Sequence, residues 1–267
     1  MATVAIIGSG TIGTELRAQL TGIGHEVTAV ATSRRITLYR GNERVDSLPT
    51  GGAEDTILKI NGQNSVDAVM IAIPNRNKGR DELQYIAGFS DKHLVTCAKA
   101  AHAYEYNRVV SLVGNRIGRR ATVGGGTDML EVLRRRHLQK EDVTIHAVIN
   151  GTLNHVWSTI QTGGSFAEAV SDAKDLKYAE PGNDDLVGIV NDELLDVAMK
   201  ATIIKNIALP TGGSPLSADE FTIVPLDWKD IMRLTSRNAR YRFITSFSSV
   251  DDVDEIEEGA PGSIRAI

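Results

Sequence analysis

The stretch Thr3-Val4-Ala5-Ile6-Ile7-Gly8-Ser9-Gly10-Thr11-Ile12-Gly13 decides how the rest of the chain is read. Thr3 to Ile7 is a short apolar run, a glycine hexad follows at once, and Thr14 to Leu20 has helical character. The order is strand, glycine turn, helix. In that setting the glycines serve three steric needs, which are a tight turn, close approach of the backbone to a pyrophosphate, and close packing of helix on strand. The positive end of a helix starting near Thr11 then suits a phosphate. Gly8, Gly10, Thr11, Ile12 and Gly13 are therefore candidate dinucleotide-binding residues, the alternative being an ordinary tight turn.

Working outward, His25 to Ala31 falls where the second strand of a βαβ unit belongs. NAD selection usually calls for an Asp or Glu about twenty residues beyond the glycine loop. Ala31-Thr32-Ser33-Arg34-Arg35 has none. It offers two hydroxyls and two guanidiniums, which suit a 2′-phosphate. NADP is the expected cofactor, held by Arg34 and Arg35, with NAD still possible. The alternative is that both arginines simply decorate an exposed loop.

Val66 to Ile73 and His93 to Cys97 are unalternated apolar runs, the pattern of strands buried on both faces of a parallel sheet, with helical spacing over Asp81 to Phe89 between them. Ile73 and Pro74, where the first run ends, join the candidate cofactor contacts. Lys99 follows the second run, at the carboxyl end of a parallel strand where ligands of open α/β sheets bind, the alternative being one of the surface lysines common after strands. From there the pattern turns more helical. Helices are expected over Asn107 to Val113 and Asp128 to Gln139, and a half-open strand over Val143 to Ile149. Leu153 to Gln161 and Ala169 to Leu176 read as helices, the second behind a Ser165/Glu168 capping box. The last strong helix is expected over Glu193 to Ala208, closed by Pro210 and Thr211-Gly212-Gly213.

Composition narrows the function classes. The 267 residues favour one large domain or two small ones, and 42% hydrophobic with 24% charged residues is ordinary for a globular protein. With 29 Lys+Arg against 34 Asp+Glu, the net charge is −5 and no basic stripe exists for nucleic acid. A lone cysteine, Cys97, and the lack of an export signal or membrane-length apolar run point to the cytoplasm. The six histidines show no zinc spacing, and no nucleophile elbow is present.

Catalytic candidates concentrate in the second half. Carboxylates crowd Tyr178-Ala179-Glu180-Pro181-Gly182-Asn183-Asp184-Asp185, ahead of a helix containing Asp196 and Lys200. Four residues apart, Asp196 and Lys200 share one helix face among apolar neighbours. Lys200 is there either half of a structural ion pair or a proton donor near a reacting oxygen. Asn150-Gly151-Thr152, between a strand and a helix, offers backbone donors to a carboxylate, or serves only as a helix cap.

Together these residues resemble the homoserine dehydrogenase family. The likeness runs from the glycine loop to about Asn206. Its most specific parts are Val95 to Asn107 (VTCAKAAHAYEYN), Thr122 to Leu130 (TVGGGTDML), Ile149 to Val156 (INGTLNHV), and FAEAVSDAKDLKYAEP followed by DVAMK. The resemblance implies an α/β chain with a Rossmann-type nucleotide-binding domain over residues 1–125 and a mixed α/β catalytic and dimerisation domain over 126–250. The remaining 251–267 reads as an acidic, solvated tail, from the six acidic residues among the eight of Asp251 to Glu258. It implies NAD(P)-dependent interconversion of L-aspartate 4-semialdehyde and L-homoserine, in threonine and methionine biosynthesis, by a cytoplasmic homodimer acting on a small molecule, away from nucleic acid and membrane.

By position, the resemblance makes Lys200 the proton donor, has Asp196 bind substrate, and has Lys99 contact cofactor and substrate. Glu180 and Asp185 would hold the substrate amino group, and Asn150-Gly151-Thr152 suits its carboxylate. Other readings are a same-fold oxidoreductase for another small amino acid or aldehyde, and a non-catalytic dinucleotide-binding or regulatory protein. Departures from the family pattern are Ala98 for the usual Asn, Lys177 for the usual Gly, and a longer connection from Asp185 to Asp196. Arg120 stands where a glutamate commonly helps hold a monovalent cation, which argues against one bound through Val123, Gly125 and Thr127. The family's Gly-rich closing segment and terminal helix are not seen before Ile267, so the expectation is a shortened chain or a cofactor site closed differently.

Overall fold

The apolar run Val4 to Ile7 is buried along its whole length, which is possible only for a strand covered on both faces. The computed structural model describes residues 1–62, 66–139, 144–178, 184–209, 214–235, 245–248 and 264–266. The chain divides into two units, Met1–Met129 and Leu130–Ile267.

In the first unit β1 (Thr3–Ile7) leads through α1 (Thr11–Gly22) to β2 (Glu26–Ala31). β3 (Arg35–Arg40), β4 (Glu43–Pro49), α2 (Ala53–Asn61), β5 (Ala68–Ile71), α3 (Arg80–Gly88), β6 (His93–Thr96), α4 (Ala100–Tyr104), α5 (Tyr106–Val113) and β7 (Ile117–Gly118) follow. The sheet order is β4-β3-β2-β1-β5-β6-β7. β1 runs parallel to β2 and β5, β5 to β6, and β6 to β7. This is the Rossmann-type arrangement, and the chain leaves β1 in one direction for β2 and returns on its other side at β5. Ligands of such sheets bind beyond the strand ends at that reversal.

After Arg34 the chain forms a hairpin, with β3 antiparallel to β2 and β4 antiparallel to β3, closed by Gly41-Asn42 with Gly41 at φ 59°. Ile36, fully buried, anchors it to the sheet.

The second unit carries α6 (Met129–Leu138), which begins at the boundary, then β8 (Thr144–Ala147), α7 (Gly151–Gln161), α8 (Phe166–Asp175), α9 (Leu186–Ala208), β9 (Phe221–Ile223), α10 (Trp228–Thr235), β10 (Thr245–Ser248) and β11 (Ile264–Ala266). Leu153, Val156 and Trp157 of α7 pack with Ala169 and Val170 of α8 and Val190, Leu194 and Val197 of α9. The capping box at Ser165 and Glu168 is formed, each side chain satisfying the other's backbone N–H. α9 starts seven residues before the expected Glu193, since Asp185 caps it. Nor is it the last helix, because α10 follows. The 251–267 stretch is more than a solvated tail: Ile264–Ala266 pairs with β9, while 251–263 lies outside the described residues. Among the described residues no helix is long and apolar enough to cross a membrane.

Candidate active site

The glycines of the first unit are explained by two different kinds of crowding. Gly8 sits at φ 113°, its N–H donating to the Ala31 carbonyl at 2.8 Å, and a Cβ there would fall on the Ala72 carbonyl. A Cβ at Gly13 would fall on the Gly8 carbonyl, so Gly13 lets α1 close onto the strand end. Gly10 differs. It has an ordinary φ of −69° and nothing within 4 Å of where its Cβ would lie. Neither backbone strain nor the chain itself requires glycine there. What its bareness permits is approach from outside, the cradle a pyrophosphate needs. The first turn of α1 has no acidic residue to compete for its positive end, and Thr11 and Ile12 are exposed there.

The other candidate cofactor residues reach the same edge of the sheet. Ala72 N–H donates to Ile7 O at 2.7 Å and Cys97 N–H to Ile71 O at 2.9 Å, so Ile73, Pro74 and Lys99 leave the sheet at the carboxyl ends of β5 and β6. In the β2–β3 turn the Thr32 hydroxyl accepts from the N–H of Arg34 and Arg35, and both guanidinium-bearing residues are exposed. The residues present therefore fit a dinucleotide.

Lys99 is positioned by residues that sequence reading missed. Asn75 Oδ1 accepts from the N–H of Lys99 at 2.7 Å and of Ala100 at 3.1 Å. Buried Glu82 accepts from the Thr96 hydroxyl at 2.6 Å and from Ala101 N–H at 2.8 Å, tying α3 to the β6–α4 junction. Burial raises the Glu82 pKa against these bonds and the nearby Lys99 charge. Cys97 is only partly buried, and burial pushes its thiol pKa up.

The second unit gathers Asn150, Gly151, Thr152, Asp196 and Lys200. Asn150 caps α7, its Oδ1 accepting from Leu153 N–H at 2.8 Å. The first-turn N–H groups of Gly151 and Thr152 have no carbonyl of their own helix to meet. Lys200 Nζ donates to Ile149 O at 2.8 Å and pairs with Asp196 Oδ2 at 2.6 Å. Asn150 Nδ2 donates to Asp196 Oδ2 at 3.1 Å and to Glu193 Oε2 at 2.6 Å. Glu193, absent from the sequence-based candidates, stands on the Asp196 face of α9 at i−3, and that spacing was the available signal. Burial is the largest cause raising its pKa, opposed by the Asn150 bond, with the Asp196 charge raising it further.

Two expected substrate residues fare differently. Glu180 lies outside the described residues. Asp185 is the N-cap of α9, accepting from Val187 and Gly188 N–H at 3.2 and 3.0 Å. Lys200 is fifteen residues further along one unbroken helix, about 22 Å at 1.5 Å per residue. A four-carbon amino acid spans only about 5 Å. Asp185 and Lys200 therefore do not address one such molecule, which corrects the role expected of Asp185. Arg120 pairs with Asp128 at 2.8 Å on the surface, and among the described residues no group of three or more His, Cys, Asp or Glu is placed to hold a metal ion.

Residues 129–261 match the homoserine dehydrogenase family model, a segment that contains the whole Asn150–Glu193–Asp196–Lys200 cluster. The chain belongs to the homoserine dehydrogenase family. It is 28% identical over 181 residues to a homoserine dehydrogenase of Sulfurisphaera tokodaii, covering 66% of this chain and 55% of that protein. With the Corynebacterium glutamicum homoserine dehydrogenase it shares 28% identity over 217 residues, covering 78% of this chain and 47% of the relative. The chain thus spans about half the length of these curated relatives. The crystal structure of homoserine dehydrogenase from Thermoplasma acidophilum shares the fold, with TM-score 0.72 at 18% identity over 100% of this chain and 83% of that one. Other homoserine dehydrogenases it resembles include an NAD(+)-dependent one from Pseudomonas canavaninivorans, 28% identical over 57% of this chain and 43% of that protein. A hyperthermophilic archaeal one in complex with NADPH aligns at TM-score 0.61 and 16% identity, over 83% of this chain and 77% of that one.

Proposed function

We propose that this protein catalyses the reversible NADPH-dependent reduction of L-aspartate 4-semialdehyde to L-homoserine. The observation that carries the reading is the half-buried ammonium of Lys200, held by Asp196 and the Ile149 carbonyl beside the Asn150-Gly151-Thr152 turn. A nicotinamide dinucleotide is supported by the relatives and by the fit of Gly8, Gly10, Thr11, Ile12 and Gly13 to a pyrophosphate. When bound, it supplies the hydride to the aldehyde carbon or takes it back. The choice of NADPH over NADH rests on Arg34 and Arg35 at the end of β2, where a carboxylate would be needed to select NAD. Ile73, Pro74 and Lys99, beyond β5 and β6, complete the set we assign to the cofactor.

The protein's own contribution is charge and orientation. As the aldehyde oxygen becomes an alkoxide, Lys200 Nζ stabilises the negative charge and then transfers its proton to that oxygen. In the reverse direction it removes the hydroxyl proton. Asp196 holds the Lys200 ammonium and fixes its aim by a one-turn ion pair. The N–H groups of Gly151 and Thr152 orient the substrate carboxylate. A cytoplasmic homodimer acting on a small molecule is the setting this reading carries, supported by the family resemblance and the single cysteine.

The test is to follow NADPH consumption by the wild-type protein with L-aspartate 4-semialdehyde. Turnover, with L-homoserine as product, supports the reading. Tight NADPH binding with no aldehyde reduced would replace it with a non-catalytic dinucleotide-binding protein.

A further inference from the structure

Among the described residues, the cluster around Lys200 contains one more negative charge than positive. Glu193 and Asp196 are carboxylates, Lys200 is an ammonium, and Asn150, which bonds to both acids through one nitrogen, is neutral. Asp196 has Lys200 against it at 2.6 Å. Among the described residues Glu193 has the Asn150 amide against it at 2.6 Å, with the Lys200 charge as a lesser influence. A half-buried carboxylate whose close hydrogen-bond donor is a neutral amide leaves an electrostatic deficit that a cation can fill. The substrate assigned to this site carries such a cation on its α-carbon. Of the two acids expected to meet it, Glu180 lies outside the described residues, and Asp185 is about 22 Å along α9 from Lys200 with its oxygens capping the helix. Glu193 is one turn from Asp196, and the Lys200 side chain reaches back along the helix to that same turn.

We infer that Glu193 is the residue that recognises the substrate's α-ammonium group, and so selects an amino acid over the same four-carbon chain without nitrogen. The inference rests on the homoserine dehydrogenase reading and specifies it. The three functional groups of the substrate then meet three features of the second unit: the carboxylate at the start of α7, the ammonium at Glu193, and the reacting oxygen at Lys200. Because burial and Asp196 raise the Glu193 pKa, an arriving ammonium brings it down and favours the ionised acid.

The test is calorimetric titration of the NADP-loaded protein with L-homoserine and with 4-hydroxybutanoate, which lacks only the amino group, using wild type, Glu193→Gln and Glu193→Asp. Gln keeps an oxygen for Asn150 and removes the charge, while Asp keeps the charge on a shorter arm. Wild type should prefer L-homoserine at least tenfold. Glu193→Gln should lose about 10- to 100-fold in L-homoserine affinity, the range for a hydrogen bond to a charged group. Its affinity for 4-hydroxybutanoate should not change, and Glu193→Asp should recover part of the preference. A Gln variant that keeps the preference, or that loses both ligands equally, overturns the inference while the enzymatic reading stands. A wild type that binds neither ligand and oxidises no homoserine removes the enzymatic reading and this inference with it.

Discussion

Lys200 and Asp196 form a 2.6 Å ion pair one helical turn apart, with side chains only 16% and 18% exposed. Partial burial is what makes the pair useful for chemistry. On an open surface such a pair contributes little and is screened by salt, whereas here partial burial strengthens the attraction that holds the ammonium in place. Asp196→Asn preserves the shape and removes that attraction. It should lower kcat with L-aspartate 4-semialdehyde about 100-fold while NADPH affinity stays within a few-fold, as read by steady-state kinetics and fluorescence titration. Equal kcat in wild type and variant would make the pair purely structural.

Arg34 and Arg35 project from the β2–β3 turn with their backbone N–H groups tied to Thr32, leaving both side chains exposed. Replacing both with Ala should weaken NADPH binding about 10- to 100-fold, the range of a charge-assisted hydrogen bond to a phosphate, and leave NADH within about threefold. Equal weakening of the two cofactors would reject contact with the 2′-phosphate.

Gly10 separates folding from binding. Its Cβ position is open, so Gly10→Ala should melt within about 1 °C to 2 °C of wild type, the small effect of a methyl group at an uncrowded site. The same variant should bind NADPH at least tenfold more weakly, because the methyl group occupies the space left for the pyrophosphate. Gly8→Ala, with φ 113° and the Ala72 carbonyl in the way, should instead lose stability outright, by about 1–3 kcal/mol or more. Wild-type affinity in Gly10→Ala would dismiss the cradle.

The sequence disclosed those elements whose patterns are local. The glycine hexad announced a cradle, the unalternated runs at Val66 and His93 announced parallel strands, and Ser165 with Glu168 announced a helix start. The β3–β4 hairpin was not seen, because Arg35 to Pro49 is a half-exposed edge ribbon with only Ile36 fully buried in its two strands, and so carries little apolar signal. The early start of α9 was missed because Asp185 looks like a ligand carboxylate until the helix behind it is known to be continuous. Glu193 and Asn75 were missed for a further reason. Their importance lies in partners 43 and 24 residues away, and no sequence window shows which residues folding will bring together.

His102 supplies a pH signature for the first unit. It is fully buried, neither ring nitrogen has a hydrogen-bond partner among the described residues, and burial, followed by the nearby Arg119 charge, lowers its pKa from 6.5 to about 3. An unfolded chain takes up this proton below pH 6.5, while the folded one refuses it until about pH 3. The stability that the neutral ring permits is whole above that window and is lost as pH falls through it, at up to about 1.4 kcal/mol per pH unit. His102→Leu should therefore flatten the acid side of the stability curve in denaturant titrations, relative to wild type. Parallel curves from pH 7 to pH 4 would show that the ring is protonated in the folded state.

The most direct measurement of the central claim is the single-turnover reduction of L-aspartate 4-semialdehyde by NADPH-loaded wild type and Lys200→Ala. With the proton donor removed, the rate constant should fall about 100- to 10,000-fold while NADPH affinity is unchanged. A Lys200→Ala protein that reduces the aldehyde within a few-fold of the wild-type rate would contradict the assignment of Lys200 as the group that protonates the substrate oxygen.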